Sequence, residues 1–203
     1  MATLNFSERS IVDFKSRMTG GGARSNLFEV TIEYPDLLGL PTDSDGPKAT
    51  GEFLIKAAEI PASNLGNIPV PFRGRVLPVA GDRTFDPWTV TVINDEFFTV
   101  RDAMEKWSNF INDLQTSQGI INPEEYQTAA FVKQLSREGE ANPGPIDILR
   151  EYRFEGIYPN VVSSIPLDYG ATDQIEEFQV TFNYLFYSVT GGLTVTSEGG
   201  SLI

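Results

Sequence analysis

Val79-Ala80-Gly81-Asp82-Arg83-Thr84-Phe85-Asp86-Pro87 leads into Trp88-Thr89-Val90-Thr91-Val92-Ile93-Asn94. The second part alternates strictly, with Trp88, Val90 and Val92 on one face and threonines on the other. That is the period of a half-buried β-strand. The first part, with glycine, aspartate and proline, reads as a tight connection into that strand. Asn94 and Asp95 then stand where a helix cap belongs. Beyond them Phe97, Val100, Met104, Trp107, Ile111 and Leu114 recur at spacings of three or four. This predicts one amphipathic helix over about residues 96–114, with Trp107 turned to the sheet.

Working outward, the same two-residue period recurs on both sides. Phe28, Val30, Ile32 and Tyr34 alternate with Glu29, Thr31 and Glu33, which predicts an antiparallel strand with an acidic outer face. Residues 35–51, rich in Pro, Gly and Asp, have no period and read as a loop insertion. Strand character returns at 53–59, at 68–76 and at 128–137, followed by a Pro/Gly turn at 138–145. A further strand begins at Ile148 and is expected to end at Pro159. Phe178, Val180, Phe182, Tyr184 and Phe186 alternate with Glu177, Gln179, Thr181 and Asn183 in a long strand expected to be central. The fold class is mainly β: an antiparallel β-sandwich or barrel with one packed α-helix. The length, 203 residues, suits a single domain. We place it at 25–188, between a flexible N-terminal arm, 1–24, and a Gly/Ser/Thr-rich tail, 189–203.

Composition narrows the function. The chain carries 15 basic and 28 acidic side chains, a formal net charge of −13, with no histidine and no cysteine. Tight nucleic-acid binding works by Lys and Arg replacing condensed counterions, so this balance disfavours a conventional DNA-binding module. It does not disfavour a protein that DNA must pass without sticking. Without His or Cys, catalysis would fall to carboxylates. Asp82 with Asp86, and Asp95 with Glu96, sit at strand and helix ends, where such residues cap and turn. Asp43-Ser44-Asp45 resembles the opening of a calcium loop, but Gly46 comes too early and Leu54 occupies the position of the closing glutamate. Gly20-Gly21-Gly22 lacks the Gly-Lys-Ser/Thr of a phosphate loop and reads as a hinge. We therefore assign no catalytic, cofactor-binding or metal-ligating residues and expect a protein that is not an enzyme. No run approaches the ~18 apolar residues of a membrane helix, and no signal-peptide core is present near the start.

The spelling of several stretches carries further. Ser25-Asn26-Leu27-Phe28-Glu29-Val30, Ala80-Gly81-Asp82-Arg83-Thr84-Phe85 with Trp88-Thr89-Val90-Thr91-Val92, Asn94-Asp95-Glu96, Phe154-Glu155-Gly156-Ile157-Tyr158-Pro159 and Ile175-Glu176-Glu177-Phe178-Gln179-Val180 stand in this order. The series resembles tail tube proteins of T-even-like contractile-tailed bacteriophages over most of 25–187. That resemblance implies a virion subunit, made in the host cytoplasm, that forms six-membered rings whose pooled strands close a β-barrel around a lumen. It implies stacking of rings into a tube with no membrane anchor, cofactor or metal. Its implied partners are further copies of itself, the tail sheath, tape measure, baseplate and tail terminator proteins, and DNA that passes without tight binding. A baseplate or tube-initiator protein and the tube of a phage-derived injection machine share the fold and stay open as alternatives. A carboxylate-dependent carbohydrate-binding or hydrolysing module is the competitor of another class. Within this frame Glu29, Thr31, Glu33, Glu177, Gln179, Thr181 and Asn183 are assigned to the lumen, although the same alternation suits any solvated sheet face. Gly81, Asp82, Arg83, Thr84, Phe85, Trp88, Asn94, Asp95 and Glu96 are expected to serve structure or subunit contact, with Asp82 and Arg83 paired inside the turn or across an interface.

Overall fold

A computed structural model describes residues 11–18, 22–136 and 148–191. The turn expected at 138–145, part of the glycine hinge and the tail beyond 191 lie outside the described residues. The first element is a short helix, α1 (Ile11–Arg17), followed by strand β1 (Phe28–Ile32). A helix, α2 (Pro47–Leu54), then runs into β2 (Ile55–Ala58). Next come β3 (Asn64–Phe72), β4 (Arg75–Thr84) and β5 (Trp88–Ile93). Helix α3 (Thr99–Ile111) precedes β6 (Thr128–Leu135), β7 (Ile148–Val162), β8 (Glu177–Asn183) and β9 (Phe186–Gly191).

Six strands join in the order β1-β6-β7-β8-β5-β2, all neighbours antiparallel, and β9 pairs with β7 beside this path. β7 serves two neighbourhoods. Its first part lies between β6 and β9, and its last part, from Tyr158, pairs with β8. The change falls at Gly156, whose φ of +66° is a conformation that side chains disfavour; a Cβ there would lie 2.7 Å from Leu185 Cδ1.

The alternating apolar rows meet in one core. Val30, Ile32, Trp88, Val90, Val92, Phe154, Phe178, Val180 and Phe182 are buried there with Val100, Met104 and Trp107 of α3. Trp88 stacks on Phe154 with centroids 4.5 Å apart, and its indole N–H donates to the Glu59 carbonyl at 2.8 Å. Trp107 donates likewise to the Tyr126 carbonyl at 2.8 Å, so each buried indole keeps a partner.

Several expectations need correction. The stretch 35–51 is not a plain loop: a 3-10 turn forms at Asp36–Leu38, and Pro47 at the first helical position starts α2. Phe53 and Leu54 close that helix rather than opening a strand, so two helices, not one, pack on the sheet. α3 starts at Thr99 because the Asp95 carboxylate accepts both the Thr99 N–H (2.9 Å) and its hydroxyl (2.7 Å). Phe97 and Leu114 fall outside it and are exposed. Residues 79–84, read as a connection, are the second half of β4. Pro159 does not end β7, since beyond Ile157 only β8 flanks that strand and its register shifts between Pro159 and Val161. A residue without an N–H is tolerated at such an open, irregular place. Finally, β9 runs through Val189 to Gly191, into the stretch expected as tail.

Candidate assembly surface

β3 and β4 form a sheet of their own, a hairpin that stands apart from the six-strand path. Arg73 (φ +45°) and Gly74 (φ +80°) make its two-residue turn, the backbone a tight hairpin requires. Cross-strand partners share a face, so the pairs Ile68 with Val79, Val70 with Leu77 and Phe72 with Arg75 define one side. Pro69 with Pro78 and Pro71 with Val76 define the other. Both sides are bare: Phe72 is 66% exposed, Val76 62% and Leu77 61%. A contiguous apolar ribbon left in water marks a surface made to be covered.

The prolines say how it is not covered. A two-residue turn closes on a hydrogen-bonded pair, Phe72 with Arg75, and such pairs alternate with pairs whose N–H groups point outward. Pro69, Pro71 and Pro78 all occupy the outward class. The ribbon's outer edges therefore lack the donors that would recruit another strand. Its contacts must come through side-chain faces.

At the ribbon's root the register shifts between Leu65 and Asn67, and two glycines face each other there. A Cβ on Gly81 would sit 3.2 Å from the Gly66 backbone and one on Gly66 3.1 Å from the Asp82 carbonyl oxygen, so a side chain at either would push the strands apart by a few tenths of an ångström. This accounts for Gly81 in the motif. Thr84 pairs with Asn64, whose side-chain amide donates to Asp86 Oδ2 at 2.5 Å. Phe85 packs its ring 5.7 Å from Tyr184 and 5.9 Å from Tyr187. Trp88 belongs to the core, Asn94 donates to Glu176 Oε2 at 3.0 Å, and Asp95 organises the start of α3. Glu96 is exposed. Asp82 and Arg83 do not pair with each other, and within the described residues neither side chain reaches a partner. An ion pair inside the turn is therefore not formed.

The two polar rows assigned to a lumen have different surroundings. On β1, Thr31 is only 7% exposed, because α2 lies over it and Thr31 donates its hydroxyl to Glu52 Oε1 at 2.9 Å. Glu33 pairs with Lys48 of the same helix at 3.4 Å. Most of this row is therefore a seat for α2. On β8, Glu177 and Gln179 are exposed, and Thr181 meets Thr89 hydroxyl to hydroxyl at 3.0 Å. Asn183 donates to the Tyr158 hydroxyl at 3.3 Å. Thr89 and Thr91 of β5 extend this uncovered face. Neither row is as acidic as the sequence suggested, since each glutamate has a lysine: Glu29 with Lys133 at 2.6 Å, Glu33 with Lys48, and Glu177 with Lys56 at 2.6 Å. Asp43 and Asp45, the calcium-like spelling, form the turn that enters α2, with the Asp43 carbonyl accepting from Gly46 N–H.

Residues 23–190 match the family described as phage tail tube protein. The chain belongs to that family. Tail tube protein gp19 of Enterobacteria phage T4 is 34% identical over 163 residues, covering 80% of this chain and 89% of gp19. The tail tube protein of Serratia phage KSP90 is 28% identical over 186 residues, 91% of this chain and 95% of that one. Among solved structures, the tube-terminating cap of the anti-feeding prophage superposes with a TM-score of 0.58 at 14% identity, covering 84% of this chain and 92% of that chain. A chain of the sheath-tube complex of the extracellular contractile injection system PVC gives 0.51 at 12% identity, covering 87% and 97%. The latter two establish a shared fold. The family establishes the role: this tail tube subunit is a structural component of the virion and not an enzyme. The hairpin was the feature the sequence reading missed. Its signal was present in the outward-facing prolines and in a glycine set between two apolar runs at Arg73-Gly74.

Proposed function

We propose that this tail tube subunit forms six-membered rings that stack into a hollow conduit through which DNA leaves the virion. The observation that carries the reading is the bare β3–β4 ribbon on a domain whose own core is already complete. Such a surface marks a place where another subunit binds. The free edges of the main sheet, at β1 and β2, add the second requirement. Edge strands expose unpaired N–H and C=O groups, and closing a sheet across subunits satisfies them while enclosing a channel wider than one small domain can hold.

In this reading the uncovered β5–β8 face, with Thr89, Thr91, Glu177, Gln179, Thr181 and Asn183, lines the lumen. Its threonines, amides and neutralised glutamate offer duplex phosphates neither cations to bind nor a dense field to oppose them. Thr31 is left out because α2 covers it, and Glu33 because it is held by Lys48 of that helix. The sheath, tape measure, baseplate and terminator proteins of a contractile tail would be met through the outer loops and tube ends.

Negative-stain electron microscopy of the purified chain tests this. Long hollow tubes are the expected result. Isolated rings that never stack would favour an initiator at the baseplate, and monomers at high concentration would overturn the conduit reading.

A further inference from the structure

We infer that the hairpin of one subunit docks on the loop 163–176 of a subunit in the adjoining ring, and that opposite charge selects this seat. The inference rests on the stacked-ring reading above and names the partner surface within it.

The hairpin is basic on an acidic protein: within 64–84 stand Arg73, Arg75 and Arg83 against Asp82 alone, while the whole chain is at −13. Arg73 lies over the Phe72 ring at 5.4 Å, so the tip presents an aromatic group and guanidinium charge together. The loop between β7 and β8 has the complementary character. Asp168, Asp173 and Glu176 stand in it with no Lys or Arg. Among them Leu167 (82% exposed), Tyr169 (109%) and Ile175 (72%) are open to water. A cleft of about 540 Å³ bounded by Ile165, Leu167, Asp168 and Ile175 lies in this loop, with room for an aromatic side chain.

The loop is held in place. The Asn94 N–H donates to the Glu176 carbonyl at 2.9 Å, and the Arg101 guanidinium donates to the Ser163 carbonyl at 2.5 Å, so both ends are clamped. A receptor of fixed shape costs less order on binding than a free coil.

Topology directs the contact outward. The hairpin leaves the sheet beside Trp88, at the end of β5 paired with Phe182, whereas the loop joins the sheet at Glu177, paired with Ile93. These are opposite ends of the same strands, about 17 Å apart along β5. Among the described residues no hydrogen bond or ion pair joins the hairpin to this loop within one subunit, so their contact is made with a different copy. A contact between unlike ends is heterologous, and one that does not close into a ring repeats indefinitely, which is the symmetry of a growing stack.

The test uses the full chain. Arg73→Glu with Arg75→Glu should leave rings intact and raise the critical concentration for tubes at least tenfold, which corresponds to about 1.4 kcal/mol per ring added. Asp168→Lys with Asp173→Lys should do the same, and all four substitutions in one chain should restore tubes. Because the chain has no native cysteine, Phe72→Cys with Leu167→Cys gives an independent readout: a short bismaleimide should link assembled subunits into a ladder that neither single variant forms. Unchanged tubes in the Arg73/Arg75 variant, or no ladder from tubes that do form, would overturn the docking while leaving the conduit reading intact. Failure of the unmodified chain to form tubes would instead overturn both.

Discussion

Trp88 joins the core to the root of the hairpin, and its two contributions separate by substitution. Its ring is 2% exposed, stacked on Phe154 at 4.5 Å and tilted against Phe182 at 5.5 Å, while its N–H holds the Glu59 carbonyl at 2.8 Å. Trp88→Phe keeps an aromatic ring and removes the hydrogen bond. That bond is worth about 0.5–1.5 kcal/mol, and the smaller ring leaves a modest void, for a total of about 1–3 kcal/mol. Trp88→Ala removes both, and truncation of a buried Trp costs about 3–5 kcal/mol before the lost bond is added, about 3.5–6.5 kcal/mol in all. In a domain of this size each kcal/mol moves Tm by about 2–4 °C, so Trp88→Phe should lower Tm by roughly 2–12 °C and Trp88→Ala by roughly 7–26 °C. Thermal unfolding followed by circular dichroism at two protein concentrations checks this, because assembly adds a concentration-dependent contribution that must match between variants. Equal losses for the two variants would refute the claim that the stacked ring dominates. A loss below about 2 kcal/mol for Trp88→Ala would refute its place in the core.

Gly156→Ala should cost about 1–2 kcal/mol through its left-handed backbone, with little added by the clash because Leu185 is exposed and can turn away; chemical denaturation measures it. The Lys133 ammonium is held above its ordinary pKa, first by its hydrogen bond to Glu29 and then by the nearby charges of Glu29, Glu151 and Glu52, against the opposing effect of burial. Its contribution is therefore complete below the unfolded Lys value and fades as pH rises through the folded one. While the glutamates are ionised, the stability difference between the native chain and Lys133→Met should accordingly be constant from neutral pH up to about pH 10 and shrink above it. Gln179→Lys with Thr181→Lys should permit tube formation but slow DNA ejection from phage carrying the variant. Normal ejection kinetics would remove the β8 face from the lumen.

The strands with one buried face were legible because burial imposes a period of two, and Trp88, Val90 and Val92 keep it without exception. β8 is equally regular, and its interior place follows from Phe178, Val180 and Phe182 all being buried. The hairpin was not legible by that rule. Both of its faces are apolar or proline-bearing and exposed, so no alternation distinguishes an inside from an outside. α2 was hidden for a different reason: Pro47 and Gly51 read as loop residues, but Pro47 occupies a first helical position and Gly51 faces Val100 across a close helix contact, 4.0 Å from a built Cβ. Of the expected lumen residues, the β8 row was placed on an open face, whereas Thr31 was not. Alternation identifies the outward side of a strand, but it cannot tell whether a helix from elsewhere in the chain will lie over it. An ion pair of Asp82 with Arg83 inside the turn was ruled out for a related reason: they are successive residues of a strand, pointing to opposite sides.

The three outward prolines of the hairpin also bear on the life of the subunit before assembly. A subunit that assembles exists first as a free chain, and an exposed apolar two-stranded ribbon is then a hazard for cross-β aggregation. Regular fibre growth needs every backbone donor along an edge, and this ribbon withholds them at Pro69, Pro71 and Pro78. The same surface can then be adhesive toward one shaped receptor and inert toward its own kind edge to edge, which lets a pool of subunits wait in solution without precipitating.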